Sequence, residues 1–180
     1  PNYLLRSSAV PNDPGFSLQW HYPLINLPQA WDVTTGSGAG IVAVIDTGVL
    51  LNHPDLQGQL VNGYDLISDP SNARDGDGPD PNPNDPGDAA AGGSSSFHGT
   101  HVAGTIGAAT NNVTGVSGAA WNTRIMPLRV LGTNGGSNND VNQAILYAAR
   151  LPNSSGTLPA QRADIINMSL GGPNFSQGQQ

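Results

Sequence analysis

Ile41-Val42-Ala43-Val44-Ile45 sets five apolar residues in a row, most of them β-branched. An alternating pattern would leave one strand face in water. An unbroken run has to be covered on both faces, which predicts a strand inside a parallel sheet. Asp46 follows directly, then Thr47-Gly48-Val49. A carboxylate is thereby expected at the carboxyl end of a buried strand, where open α/β sheets place their ligand sites. Burying it is costly unless a donor meets it, and an imidazole N–H is a suitable donor.

That imidazole is offered by Phe97-His98-Gly99-Thr100-His101-Val102-Ala103-Gly104-Thr105-Ile106-Gly107-Ala108-Ala109, which follows the small-residue run 92–96. The stretch has helical length, yet Gly99, Gly104 and Gly107 each cost about 1 kcal/mol of helix propensity against alanine. Small side chains predict a helix lying close against its neighbours, with His98 at its N-terminus and His101 facing the core. His98 reads either as a structural capping residue or as the partner of Asp46. In the second reading the two form an Asp–His pair awaiting a nucleophile.

With these residues in view, the chain resembles the subtilisin-like serine proteases, or subtilases. Val42-Ala43-Val44-Ile45-Asp46-Thr47-Gly48-Val49 and His98-Gly99-Thr100-His101-Val102-Ala103-Gly104 are similar to the family's Asp and His blocks. Asn167-Met168-Ser169-Leu170-Gly171-Gly172 resembles its substrate-binding strand and loop. Three long motifs in the family's order are more specific than any one of them. The resemblance runs from about Asn12 onward and is nearest to the thermitase-like extracellular branch. The Gly-Thr-Ser-x-Ala serine block of the family is absent from residues 1–180. The expected fold is an α/β parallel sheet with helices on both faces, incomplete in this chain. Residues 1–180 then form the N-terminal part of a single catalytic domain.

The charge inventory restricts partners. All thirteen acidic residues are Asp, all six basic residues are Arg, and the net charge is −7, which argues against nucleic acid or an anionic membrane surface. There is no cysteine, so thiol chemistry and disulfides are excluded. No apolar run reaches membrane-spanning length. The resemblance implies that Pro1 is a mature start after loss of a signal and pro-segment from a zymogen, and hence that the protein is secreted.

Pro11-Asn12-Asp13-Pro14 reads as a turn, and Pro28 to Asp32 as a short helical turn. By the residues alone, Asp13 serves as a turn cap. The resemblance implies more: calcium held by Asp13, by Asp55 of Asn52-His53-Pro54-Asp55-Leu56, by the Asn112 side chain, and by the carbonyls of Ala109, Thr114 and Val116. All-oxygen coordination suits a hard cation of flexible geometry.

Asp46 and His98 stand 52 positions apart, farther than in compact subtilases. An acidic, Pro- and Gly-rich insertion, residues 65–96, occupies much of the interval. Between residues 65 and 88 lie seven aspartates: Asp65, Asp69, Asp75, Asp77, Asp80, Asp85 and Asp88. A solvated loop is one reading. Against it, an ordered acidic loop needs neutralising, and Arg74 offsets one charge. Asp75-Gly76-Asp77-Gly78-Pro79-Asp80 resembles part of a calcium loop without the spacing of an EF-hand, so Asp75, Asp77 and Asp80 are candidates for a second calcium site.

Farther on, Ile125 to Val130 predicts a strand, and Val141, Ala144, Ile145 and Ala148 give the apolar face of a helix capped by Asn138 or Asn139. Ile165 to Met168 predicts another strand. The resemblance places an extended substrate between two loops that follow strand ends, Leu131-Gly132 with Gly135-Gly136, and Ser169-Leu170-Gly171-Gly172. Their glycine walls leave room for a large apolar side chain before the scissile bond.

The chemistry implied is acyl transfer. His98 takes a proton from a serine hydroxyl and Asp46 holds the imidazole tautomer. The serine and the oxyanion-hole Asn are expected beyond Gln180, on a C-terminal fragment of the same precursor, with Ser176 to Gln180 read as a nicked surface loop. The alternative is a non-catalytic peptide-binding or inhibitory fragment that keeps only the substrate cleft.

Overall fold

The computed structural model of the protein describes residues 9–89 and 93–172. The Ser176–Gln180 run and Gly92 lie outside the described residues. Four parallel strands form the sheet: β1 (Ile41–Asp46), β2 (Tyr64–Asp65), β3 (Arg124–Arg129) and β4 (Ile165–Asn167), in the order β2-β3-β1-β4. Ile41 to Asp46 pair one-to-one with Arg124 to Arg129, so Asp46 and Arg129 end their strands side by side. Because every strand runs the same way, the segments after Asp46, Asp65, Arg129 and Asn167 leave from one edge of the sheet.

The helices are α1 (His21–Leu24), α2 (Leu27–Trp31), α3 (Pro70–Ala73), α4 (His98–Gly107) and α5 (Asn138–Ala148). Strand β1 is buried at all six positions, as its unbroken apolar run requires. Ile41, Ala43 and Ile45 pack with Met126, Leu128 and the α5 residues Val141, Ala144, Tyr147 and Ala148. Val44 packs on the opposite face with Ile125 and Ala103 of α4. Helices therefore cover both faces. Upstream, Tyr22 and Trp31 anchor the first two helices by donating to the carbonyls of Ser117 and Ala119, both at 2.9 Å.

Two local expectations are corrected. Helix α5 is capped by Ser137, whose Oγ accepts from Asp140 N–H at 3.0 Å; Asn138 and Asn139 are already its first helical residues. His101 is exposed, because α4 turns Gly99, Thr100, Ala103 and Gly107 toward the sheet. The approach there is too close for an imidazole. A Cβ on Gly99 would lie 2.2 Å from Gly48 O, and one on Gly107 2.8 Å from Thr123 Cγ2. Gly104 has open space beside it and is not required sterically.

Among the described residues strand β4 pairs on one side only, with β1, and Ile165 is 60% exposed. Among the described residues no helix is long and apolar enough to cross a membrane.

Candidate active site

Asp46 is fully buried at the end of β1, and the His98 side chain, first residue of α4, is 46% exposed. His98 Nδ1 lies 2.9 Å from Asp46 Oδ1 and 3.0 Å from Oδ2. An ionised carboxylate only accepts, so Nδ1 carries the proton and Nε2 keeps its lone pair. Thr47 N–H also donates to Asp46 Oδ1, at 2.7 Å. The dyad thus has a buried, oriented acid and a half-exposed imidazole. Such a group is equipped to take a proton from a hydroxyl placed beside Nε2.

The first turn of α4 is built under strain. Phe97, its N-cap, sits at φ +46° and gives no side-chain cap. A left-handed non-glycine residue costs about 1–3 kcal/mol and persists only where its surroundings enforce it. Gly48, at φ +89°, makes the chain reversal after Asp46, where a Cβ would meet Pro83 O at 2.5 Å.

The loop from Leu131 starts against the dyad, since Leu131 N–H donates to Asp46 O at 3.2 Å. Gly132 and Gly135 close a tight turn by two mutual backbone bonds, and Gly136 is exposed. Asn72, a residue not singled out from sequence, braces this turn: Nδ2 donates to Gly135 O at 2.9 Å and Oδ1 accepts from Asn134 N–H at 2.7 Å. Ser169, Gly171 and Gly172 are exposed after β4, and Leu170 is half-buried against the α5-side core.

The N-terminal set also converges. Asp13 accepts from the backbone N–H groups of Asn111 and Asn112 at 2.9 and 3.0 Å. Asp55 accepts from Asn112 Nδ2 at 2.9 Å and from Val116 N–H at 2.8 Å, while its own carbonyl takes Ala109 N–H. Thr114 N–H bonds Asn112 Oδ1 at 2.8 Å. Asn111, Val113 and Gly115 all have positive φ, which curls the loop around the two carboxylates. Both carboxylates are buried, and among the described residues neither is in an ion pair. The two buried carboxylates are met by four N–H donors of this loop: the backbones of Asn111, Asn112 and Val116, and the Asn112 side chain.

Asp75, Asp77 and Asp80 are not brought together, and Asp13 with Asp55 makes a pair rather than a group of three. Among the described residues no group of three or more His, Asp or Glu side chains is placed to hold a metal. Asp75 instead meets Arg129 at 2.5 Å, and Asp80 Oδ1 accepts from Asn82 N–H at 2.6 Å. Arg129, 1% exposed at the end of β3, also contacts the Asp65 carboxylate and Ala73 O. A buried guanidinium from β3 thus meets two of the insertion's carboxylates, Asp65 and Asp75, where sequence had offered only Arg74. Burial pushes the Asp65 carboxyl up to about 7, against the opposing pull of the Ile67 N–H and of Arg129.

Comparison with known proteins bears on the whole arrangement. Residues 37–180 match the model of the subtilase family. An extracellular protease of Xanthomonas campestris pv. campestris is 46% identical over 182 residues, covering 94% of this chain and 31% of that protein. Thermitase of Thermoactinomyces vulgaris is 40% identical, covering 95% of this chain and 51% of that protein. A solved protease of Pseudoalteromonas arctica PAMC 21717 superposes with a TM-score of 0.90 at 46% identity, over 95% of this chain and 54% of that one. The chain therefore spans between about a third and about half of the length of these relatives. By its family model and by these similarities, the chain belongs to the subtilase family.

Proposed function

We propose that the chain is the Asp- and His-bearing part of a secreted serine endopeptidase. The observation that carries this reading is the bond from His98 Nδ1–H to the buried Asp46, with Nε2 left free on a half-exposed ring. His98 then removes the proton of a serine hydroxyl as it attacks the scissile carbonyl, and returns it to the leaving amine. Asp46 fixes the tautomer and favours the imidazolium formed in between. The serine and oxyanion-hole groups belong to the polypeptide that follows residue 180. The one-sided β4 supports this, since an apolar, parallel-type strand is normally paired on both edges.

A peptide substrate lies extended along Gly135-Gly136 and Ser169 to Gly172, whose main-chain groups give sequence-tolerant pairing. The extracellular proteases among the relatives favour secretion. The complete protein is expected to hydrolyse a denatured protein substrate. Residues 1–180 alone are expected to be inert, and to regain hydrolysis when co-folded with the following portion. Full hydrolysis by residues 1–180 alone would contradict the assignment; a complete protein that binds peptides without cleaving them would favour a binding module.

Calcium belongs to the proposal at one place. Asp13, Asp55 and Asn112, with the carbonyls of Ala109, Thr114 and Val116, would hold it and tie the N-terminal segment to the loop after α4. A ligand that binds only the folded state stabilises by about 2.7 kcal/mol at a hundredfold excess over its Kd. Chelation is therefore expected to lower the Tm of the complete protein, and Asp13→Ala to abolish that response. Identical melting curves with and without chelator would remove calcium from the account.

A further inference from the structure

We infer that Asp85 and Asp88, at the end of the acidic insertion, are positioning residues that aim His98 by capping α4 through two hydroxyl relays. This rests on the protease reading of the dyad. Phe97 supplies no cap, so the N–H groups of His98 and Gly99 need other acceptors. On the buried side, Gly99 N–H donates to Thr47 Oγ1 at 3.0 Å, and Thr47 Oγ1 donates in turn to Asp85 Oδ2 at 2.7 Å. On the exposed side, His98 N–H donates to Ser96 Oγ at 3.2 Å, and Ser96 Oγ donates to Asp88 Oδ2 at 2.5 Å. Asp88 Oδ1 also takes Ser96 N–H at 2.6 Å, and the two Ser96 bonds hold its carboxyl below the usual range.

Each hydroxyl has one proton. Giving it to a carboxylate turns a lone pair toward the helix, so the carboxylates decide which way the caps face. They also set negative charge at a helix N-terminus, where it is favoured. Asp85 is 2% exposed, and among the described residues it has no cationic partner; its other oxygen takes Gly87 N–H at 2.8 Å. The segment is itself pinned to the chain leaving Asp46: Val49 N–H donates to Pro83 O at 3.1 Å and Asp85 N–H to Val49 O at 3.0 Å. The backbone that presents Asp46 therefore also holds the group that fixes the His98 turn. The two residues that follow the left-handed Phe97 are thereby held from both sides.

The test uses the complete protein and the variants Asp85→Asn, Thr47→Val and Asp88→Asn, with Asp69→Asn in the same insertion as control. Turnover is measured per active site titrated with a phosphonylating reagent, and the His98 Nδ1–H proton is followed by NMR. Asp85→Asn and Thr47→Val are expected to lower kcat roughly 10- to 100-fold through a misplaced imidazole. KM should stay within about two-fold, since substrate-binding groups are untouched. The Nδ1–H resonance should move in each relay variant and stay put in Asp69→Asn. If Asp85→Asn does not fold, Asp88→Asn on the exposed arm reads the same quantities. Wild-type kcat per site with an unmoved resonance would overturn the clamp. A complete wild-type protein without hydrolysis would be a failure of the protease reading alone, because the resonance still tests the geometry.

Discussion

Replacing His98 by alanine in the complete protein is expected to lower turnover by at least about 10²- to 10⁴-fold, the usual share of general acid–base catalysis. KM should change little, because the loops starting at Leu131 and Ser169 do not depend on the imidazole. Folding should also survive, since the ring is half-exposed and its one side-chain bond is to Asp46. The alanine leaves Asp46 buried with, among the described residues, only Thr47 N–H as donor, so a modest fall in Tm is expected. Steady-state kinetics with a thermal melt check both parts. A loss of only a few-fold in an intact fold would return His98 to the role of a capping residue.

Arg129→Met is expected to have the largest effect on stability. The substitution keeps most of the volume but strips the cation from Asp65, Asp75 and the Ala73 carbonyl. Breaking a buried pair by removing one partner typically costs about 3–5 kcal/mol. The sign of its pH dependence follows from Asp65. Its folded-state pKa, about 7, lies above the ordinary 3.8, so the folded protein holds the extra proton between those values. The stability linked to that proton is complete below about pH 4 and lost as pH rises through about 7. Without Arg129 the carboxyl is pushed higher still, so the variant's deficit should be smaller at pH 5 than at pH 8. Denaturant melts of the complete protein at the two values measure this. An equal deficit at both would mean that the carboxylates are not the groups left exposed to the loss.

Where the sequence was readable, a local pattern and a long-range requirement coincided. The run from Ile41 to Ile45 is covered on both faces because nothing in it tolerates water. Val141, Ala144 and Ala148 lie on the buried side of α5 as helical spacing demands. The strand end and the helix start already offered Asp46 and His98 as a pair, and the resemblance supplied the serine they await and the roles of the loops that follow the strand ends. What stayed hidden was held by contacts without a local signature. Arg129 reaches Asp65 and Asp75 across 64 and 54 positions, so the counter-ion of the insertion could not be found by reading the insertion. Asp85 acts through Thr47, and Asn72 through the Gly132–Gly135 turn, each from a distant part of the chain. His101 was placed wrongly for a different reason: α4 buries the small residues Gly99, Thr100, Ala103 and Gly107 most deeply, with Val102 and Ile106 only partly buried beside them.

Covalent labelling decides whether Asp46 and His98 serve, as proposed, a serine beyond residue 180. The complete protein is treated with a phosphonylating reagent specific for activated serines, and the modified residue is located by mass spectrometry. One labelled serine is expected, in the portion following residue 180, with labelling that slows sharply in His98→Ala. A label on a serine within residues 1–180, or a rate unchanged by His98→Ala, would contradict it.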